Sequence, residues 1–207
     1  MRITGILLAT LFAVGLSLLL ASCAQAVEPT DGDGEKGAAW RGHAKGKAVV
    51  SGRERYSVLP GVRVVNQPHG KRRAEDVLSE KGLQAREVVA SKGNLIFFVP
   101  RETTPGAASS IRTPEGSTLF AVVLNERTGG LGAVLGTIQV ILAAPGSAQS
   151  LALDFDLTVK RDYPHLKAAF FQVPEGGDPF AVAEALGKDP RVASAKAEVL
   201  ENPPVPQ

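Results

Sequence analysis

Residues 136–201 alternate between apolar strand-like runs and short helical segments, and this order constrains the fold more than any other feature. Asp178 followed by Pro179 is a typical helix start, because the carboxylate can cap free backbone N–H groups and proline is favoured at the first helical position. Strand-like runs at 137–142, 168–173 and 192–200 flank helical segments at 147–156 and 179–186. The order predicts an α+β fold with a ferredoxin-like unit (βαββαβ, antiparallel sheet with two helices) at residues 131–201.

Residues 48–130 predict a smaller α/β domain in front of this unit. Residues 101–110 have the composition of a loop, at the place where the second unit has its second helix. We expect the boundary between the two domains within residues 126–136. The predicted elements are a strand at 58–65, a helix at 71–81 ended by Gly82, strands at 85–89 and 94–99, and a strand at 117–124.

The two units show similarity at a constant offset of 74 residues. Ala74 aligns with Ala148, and the Phe-x-Val-Pro sequence at Phe97 aligns with the one at Phe171. The strands before the two helices match after a two-residue shift, at 62–65 and 138–141. We interpret the first domain as a divergent half-repeat of the second, with a chance match of short apolar strands as the alternative.

The amino terminus predicts export. An apolar run at 6–21 follows Arg2, is short for a membrane span and is placed like the core of a signal peptide covering residues 1–26. Leu20-Ala-Ser-Cys23 matches the bacterial lipobox, whereas Ala24-Gln-Ala26 matches an ordinary signal-peptidase site. We expect lipidation at Cys23 and a periplasmic or outer-membrane-anchored lipoprotein, with cleavage after Ala26 and secretion as the alternative.

Composition excludes several classes of protein. A net charge of +2 provides no basic field for nucleic acid. The chain has one cysteine, so no internal disulfide can form. Residues 27–47 are polar and glycine-rich, which is typical of a flexible tether, and Asp31-Gly-Asp33-Gly lacks the later ligands of a calcium loop.

The sequence does not predict an enzyme, a cofactor site or a metal site. No nucleophile elbow or catalytic triad can be assigned. The glycine-rich stretch at 129–132 lacks the lysine of a phosphate-binding loop, and the basic residues at 71–73 are typical of an exposed turn. The histidines have no companion at metal-ligand spacing; they are His43, His69 and His165.

Residues 173–195 carry a more specific pattern than the order of elements alone. Val173-Pro-Glu-Gly precedes the helix at Asp178, and Asp189-Pro-Arg-Val-Ala-Ser-Ala195 connects that helix to the last strand. This pattern resembles the second half of subtilisin-family (subtilase) propeptides, whose second helix typically ends in a D/N-P-x-V-x-x-A turn. The chain departs from that family at Lys196-Ala-Glu198, where a Glu-Pro continuation is expected.

The resemblance implies a propeptide-like protein that binds a secreted subtilisin-family serine protease as an external chaperone, an inhibitor or both. In such propeptides the sheet packs on two protease helices, and the segment after the last strand enters the active-site cleft. The resemblance makes Glu198 a candidate for capping a protease helix. It assigns cleft binding to the tail, with 202–207 as its extended part: Glu201, Asn202, Pro203, Pro204, Val205, Pro206 and Gln207.

Other functions remain open at this point. A proline-rich segment is already extended and loses little entropy when it is ordered, which favours cleft binding. An idle terminus is the alternative for the same residues. For the whole protein, the alternatives are an envelope lipoprotein whose α/β domains bind an unrelated partner, and a prodomain that no longer engages a protease.

Overall fold

The computed structural model describes residues 46–67, 72–102 and 110–201, which form the predicted α+β fold around one antiparallel sheet of ten strands. The predictions for the signal peptide, the tether up to residue 45, Cys23, His43, His69 and residues 202–207 lie outside these residues. The elements are β1 (Ala48–Ser51), β2 (Glu54–Asn66), α1 (Ala74–Glu80), β3 (Ala85–Lys92), β4 (Leu95–Pro100), β5 (Ile111–Arg112), β6 (Thr118–Asn125), β7 (Leu131–Leu142), α2 (Ala148–Asp154), β8 (Thr158–Tyr163), a 3-10 turn (Pro164–Leu166), β9 (Ala168–Gln172), α3 (Pro179–Leu186) and β10 (Val192–Leu200).

The carboxy-terminal half has the predicted βαββαβ topology. Its strands lie in the order β10-β7-β9-β8, and every pair is antiparallel. Asp178 caps α3 as expected, because its Oδ1 accepts from the backbone N–H groups of Phe180 (2.9 Å) and Ala181 (3.3 Å). The sequence pattern assigned no residues to β8, which forms an edge of the sheet and carries the charged run Lys160-Arg-Asp162. Charges on an edge strand discourage pairing with other chains but hide the strand from hydrophobic pattern analysis.

The amino-terminal half repeats the four strands and the first helix of this unit. Its strands lie in the order β3-β4-β2-β6, which corresponds element by element to β8-β9-β7-β10. The two helix ends also agree: the Leu83 N–H donates to the Leu78 carbonyl and the Leu157 N–H to the Ala152 carbonyl, both at 2.8 Å. Each cap contains a residue with positive φ, Gly82 in the first half and Asp156 in the second. The two halves therefore share the order of their strands and the way in which their first helix ends.

The aligned strand residues, however, point to opposite faces of the sheet. Val64 pairs with Phe97, and Ile138 pairs with Phe171, so the first strands keep the offset of 74 residues without the expected two-residue shift. Phe171 packs in the cluster of α2, whereas Phe97 lies in a cluster that contains no residue of α1. The two strand pairs therefore agree in register but present opposite faces to their helices, since Phe98 and not Phe97 packs with α1.

The strand β7 belongs to both halves. Residues 131–134 pair with β6 and residues 137–141 with β9, while β10 follows the other edge of β7 from Ala133 to Leu142. Nearby, β1 lies beside β10, where the Ser51 Oγ donates to the Ala197 carbonyl at 2.5 Å. The cluster behind these strands draws on both halves: Val49, Tyr56, Val58, Ala121, Val123, Val134, Phe180 and Ala197.

The three helices lie on the same face of the sheet. α1 packs on Leu119, which shares a face of β6 with Ala121. Ala121 pairs with Val134, and both pack in one cluster with Phe180 of α3. Other residues of α3 pack with α2. On the opposite face of the amino-terminal half, described strand residues form a buried cluster of their own: Leu59, Val62, Val64, Leu95, Phe97, Val122, Leu124, Leu131 and Ala133.

Arg191 joins α2 to the turn between α3 and β10. Its guanidinium donates to Asp189 (Nε–Oδ1 2.9 Å, Nη2–Oδ2 2.7 Å), lies 2.7 Å from Asp154 Oδ2, and donates to Ser150 Oγ at 3.1 Å. The side-chain and backbone hydrogen bonds from Arg191 lower the pKa of Asp189 to about 2.

Replacement of Arg191 by glutamine should return the pKa of Asp189 towards its ordinary value of 3.8. Because the carboxyl has a lower pKa in the folded state than in the unfolded state, its stabilising effect is complete above about pH 4 and is lost as the pH falls through about 2. NMR titration of the Asp189 carboxyl measures the first effect, and urea unfolding between pH 2 and pH 5 the second. Arg191→Lys, which keeps the charge but not the planar fork, is the control and should lie between the two. An unchanged Asp189 pKa in Arg191→Gln would contradict this account.

Candidate functional site

One face of the carboxy-terminal sheet carries no helix among the described residues. Phe171 points into the core beneath α2, so Phe170 points to the opposite face. Strand pairing then sets Lys196, Gln139 and Phe170 side by side across β10, β7 and β9. We call this surface the open face; it consists of Thr137, Gln139, Ile141, Thr158, Arg161, Tyr163, Ala168, Phe170, Gln172, Ser194 and Lys196.

The open face has an apolar centre and a polar rim. Phe170, Ile141 and Tyr163 are half-buried, and the rings of Phe170 and Tyr163 meet edge to face with centroids 6.1 Å apart. Lys196 and Ser194 are exposed at one side. This is the usual anatomy of a protein-binding surface. The corresponding face of the amino-terminal half is buried, so within the described residues such a face is seen on the carboxy-terminal sheet and not on the related one.

A second feature lies where the chain leaves β10. The Glu201 Oε1 accepts hydrogen bonds from the Tyr56 Oη at 2.7 Å and from the Asn125 Nδ2 at 3.0 Å. We call these three residues the Glu201 clamp. Burial, and then the hydrogen bond to Glu201, raise the pKa of Tyr56, so the phenol stays protonated and remains a donor.

The clamp residues are themselves held in place. The Asn125 Oδ1 accepts from the backbone N–H groups of Arg127 (2.9 Å) and Thr128 (3.1 Å), which leaves the amide nitrogen to serve as the donor. That nitrogen also lies 3.3 Å from Glu54 Oε2. Hydrogen bonds from Arg127, and then from Asn125, lower the pKa of Glu54. The carboxylate of Glu201 therefore meets a donor pair with fixed orientation.

Gly132 allows β10 and Glu201 to approach β7 closely. A Cβ atom at this position would lie 2.5 Å from Val199 Cγ1 and 3.3 Å from Glu201 Cγ. Real Cβ contacts are essentially never shorter than 3.0 Å, so any larger residue would displace Val199.

Glu198 lies in an adjoining groove and takes no part in the clamp. It is half-buried and lines a groove of about 370 Å³ between β10 and the β1–β2 turn, together with Arg53, Lys196 and Leu200. Its assignment as a helix-capping residue stays a prediction.

The other sequence candidates form no common site. His165 is exposed and meets the ring of Tyr163 edge to face, with centroids 6.4 Å apart. Arg72 forms an ion pair with Glu80. Within residues 46–67, 72–102 and 110–201, no group of three or more His, Cys, Asp or Glu side chains is placed to hold a metal ion. No helix in the same ranges has the length and apolar character needed to cross a membrane.

Tyr56 and Asn125 were not predicted as functional residues. They meet Glu201 across 145 and 76 residues of sequence. Tyr56 lies in an ordinary apolar strand, and Asn125 resembles any turn residue. Only the pairing of strands from both halves brings them together.

The fold and its open face define an α+β protein built from two related split βαβ units, one of which offers a sheet face for binding. Residues 53–205 match the family described as the open reading frame 2 (ORF2) N-terminal domain, and the chain belongs to that family. Among curated proteins, none matches this chain. A solved structure of a complex between an Aeromonas sobria serine protease (ASP) and its chaperone (ORF2) contains a chain with 23% sequence identity. That match covers 48% of this chain and 100% of the other, and its TM-score of 0.35 is too low to establish a common fold.

Substitution of Gly132 by alanine should destabilise the protein by about 1–3 kcal/mol, because the added methyl group overpacks against Val199. Gly61→Ala in β2 is the matched control, since a Cβ there meets no atom within 4 Å. Urea unfolding followed by circular dichroism measures both variants. Equal stability of Gly132→Ala and Gly61→Ala would show that β7 and β10 do not approach each other as described.

Proposed function

We propose that this protein binds a secreted serine protease and assists its folding as an external chaperone, with the open face as the docking surface. The observation that carries the proposal is the βαββαβ unit with its helix-free, half-apolar face around Phe170. Membership of the ORF2 N-terminal domain family supports it, because the chaperone in the Aeromonas sobria serine protease complex bears the same designation. The protein would act by surface complementarity, without chemistry of its own.

The finer proposal is that the protease belongs to the subtilisin family and that the tail enters its cleft. The turn at Asp189-Pro-Arg-Val-Ala-Ser-Ala195 supports the family of the partner. The proline-rich composition of 202–207 supports cleft binding, since an extended segment can pair with the strands that line a protease cleft. In this mode the protein is also an inhibitor. Export, with a lipid anchor at Cys23, would place it in the compartment through which the protease passes.

A charged residue in the apolar centre of the open face tests whether the protease docks there. Phe170→Lys should reduce the refolding yield of denatured subtilisin by about tenfold or more, because a charge would replace the apolar centre of the interface. Leu153→Lys is the matched control: Leu153 is 84% exposed on α2, on the other face of the sheet, and this change should leave the yield unchanged. The measurement is recovered protease activity against chaperone concentration. Equal yields with the two variants would exclude the open face.

Removal of residues 202–207 separates inhibition from folding assistance. A chain that ends at Glu201 keeps the clamp, and we expect it to inhibit mature subtilisin much less than the full chain while it retains assistance in refolding. Inhibition constants and refolding yields for the two chains give the answer. Equal inhibition by both would place the inhibitory contact on the sheet and remove the tail from the cleft.

A further inference from the structure

We propose that Tyr56 and Asn125, two buried residues of the amino-terminal half, act as positioning residues for the segment that follows β10, by holding the Glu201 carboxylate. The inference deepens the proposed function and rests on it, since the segment so positioned is the one assigned to the protease cleft. It gives the amino-terminal half a role in binding without contact with the protease.

Glu201 lies immediately beyond the last strand pair. The ladder between β10 and β7 ends at Leu200 opposite Ala133. Beyond that pair, side-chain bonds from two other strands hold the chain: Tyr56 belongs to β2 and Asn125 to β6. Two donors on one carboxylate oxygen fix the place of that oxygen in the last residue before the tail.

Neither donor can move to follow Glu201. Tyr56 is 5% exposed and packs among Val58, Val123 and Ala197, while Asn125 is 1% exposed with its Oδ1 engaged by two backbone N–H groups. Gly132 also lies close to Glu201, since a Cβ atom at Gly132 would be 3.3 Å from the Glu201 Cγ. The site into which the carboxylate fits is therefore rigid before any partner binds.

A stability role alone does not account for a carboxylate at this position. Removal of a charged group from water costs free energy that its hydrogen bonds only partly return. An apolar side chain at this position would hold the end of β10 without that cost. A carboxylate held by two donors supplies direction, and a fixed exit direction lowers the entropy that the tail loses when it binds.

The first test needs no protease. Spin labels are attached to cysteines introduced by Val205→Cys and Leu153→Cys, in a chain whose Cys23 is replaced by serine. Pulsed electron paramagnetic resonance then measures the distance from the tail to α2. We expect the distance distribution to broaden in Tyr56→Phe, which removes only the hydroxyl group. Asn125→Asp keeps the oxygen that accepts from Arg127 and Thr128 but replaces the donor to Glu201, and it should act in the same way. Ser57→Ala, which loses only a bond to Glu126, is the control and should change nothing. Identical distributions in wild type and Tyr56→Phe would overturn the inference.

The second test measures inhibition of subtilisin in two backgrounds. Tyr56→Phe should weaken inhibition about tenfold in the full chain and leave a chain that ends at Glu201 unaffected, because only the full chain has a tail to position. An equal loss in both backgrounds would show a structural role and overturn the inference. A full chain that binds no serine protease would overturn the proposed function instead, while the distance measurement would still decide whether the clamp directs the tail.

Discussion

The pairing of β7 with three strands is the interaction on which the rest of the structure depends. One edge of this strand pairs first with β6 and then with β9, and the other edge pairs with β10 over most of its length. Two related four-stranded units thereby become one sheet. A common strand also fixes the relative position of residues far apart in sequence, because a shift in register would reverse the faces of β7.

The consequence for function is an asymmetry between related halves. In the amino-terminal half, the face opposite the helix is buried in a cluster of strand residues that includes Phe97. In the carboxy-terminal half, the corresponding face is half-exposed around Phe170. The first half buries this apolar surface, whereas the second leaves its own half-exposed. The first half also supplies Tyr56 and Asn125 to the end of β10, so the two halves depend on each other at the point where the chain leaves the sheet.

Local signals predicted much of this fold. Asp178-Pro179, Gly82 and the strand-like runs at 137–142 and 168–173 specify their own conformation through capping, backbone freedom and apolar character, and the structure confirms each. β8 was not predicted, because strands at the edge of a sheet favour charged residues and its sequence therefore shows no hydrophobic pattern. The alignment of Phe97 with Phe171 revealed the repeat, but only Phe171 lies on the helix side of the sheet. Sequence similarity alone does not show which face of the sheet a strand residue occupies.

The candidate site was less predictable. The resemblance at 173–195 directed attention to the carboxy-terminal half of the chain, but no local pattern indicates that Phe170 is half-exposed while Phe171 is buried. That difference follows from the packing of α2 and α3 on one side of the sheet. The Glu201 clamp joins residues that are far apart in sequence, so the residues next to Glu201 do not predict it.

The central claim is that a serine protease docks on the open face, and site-specific photocrosslinking tests it most directly. A benzoylphenylalanine at residue 170, mixed with purified subtilisin during refolding, should form a covalent adduct with the protease. The same group at residue 153, on α2, should form none. An adduct from residue 153 alone, or a stable complex with no adduct from residue 170, would contradict the account.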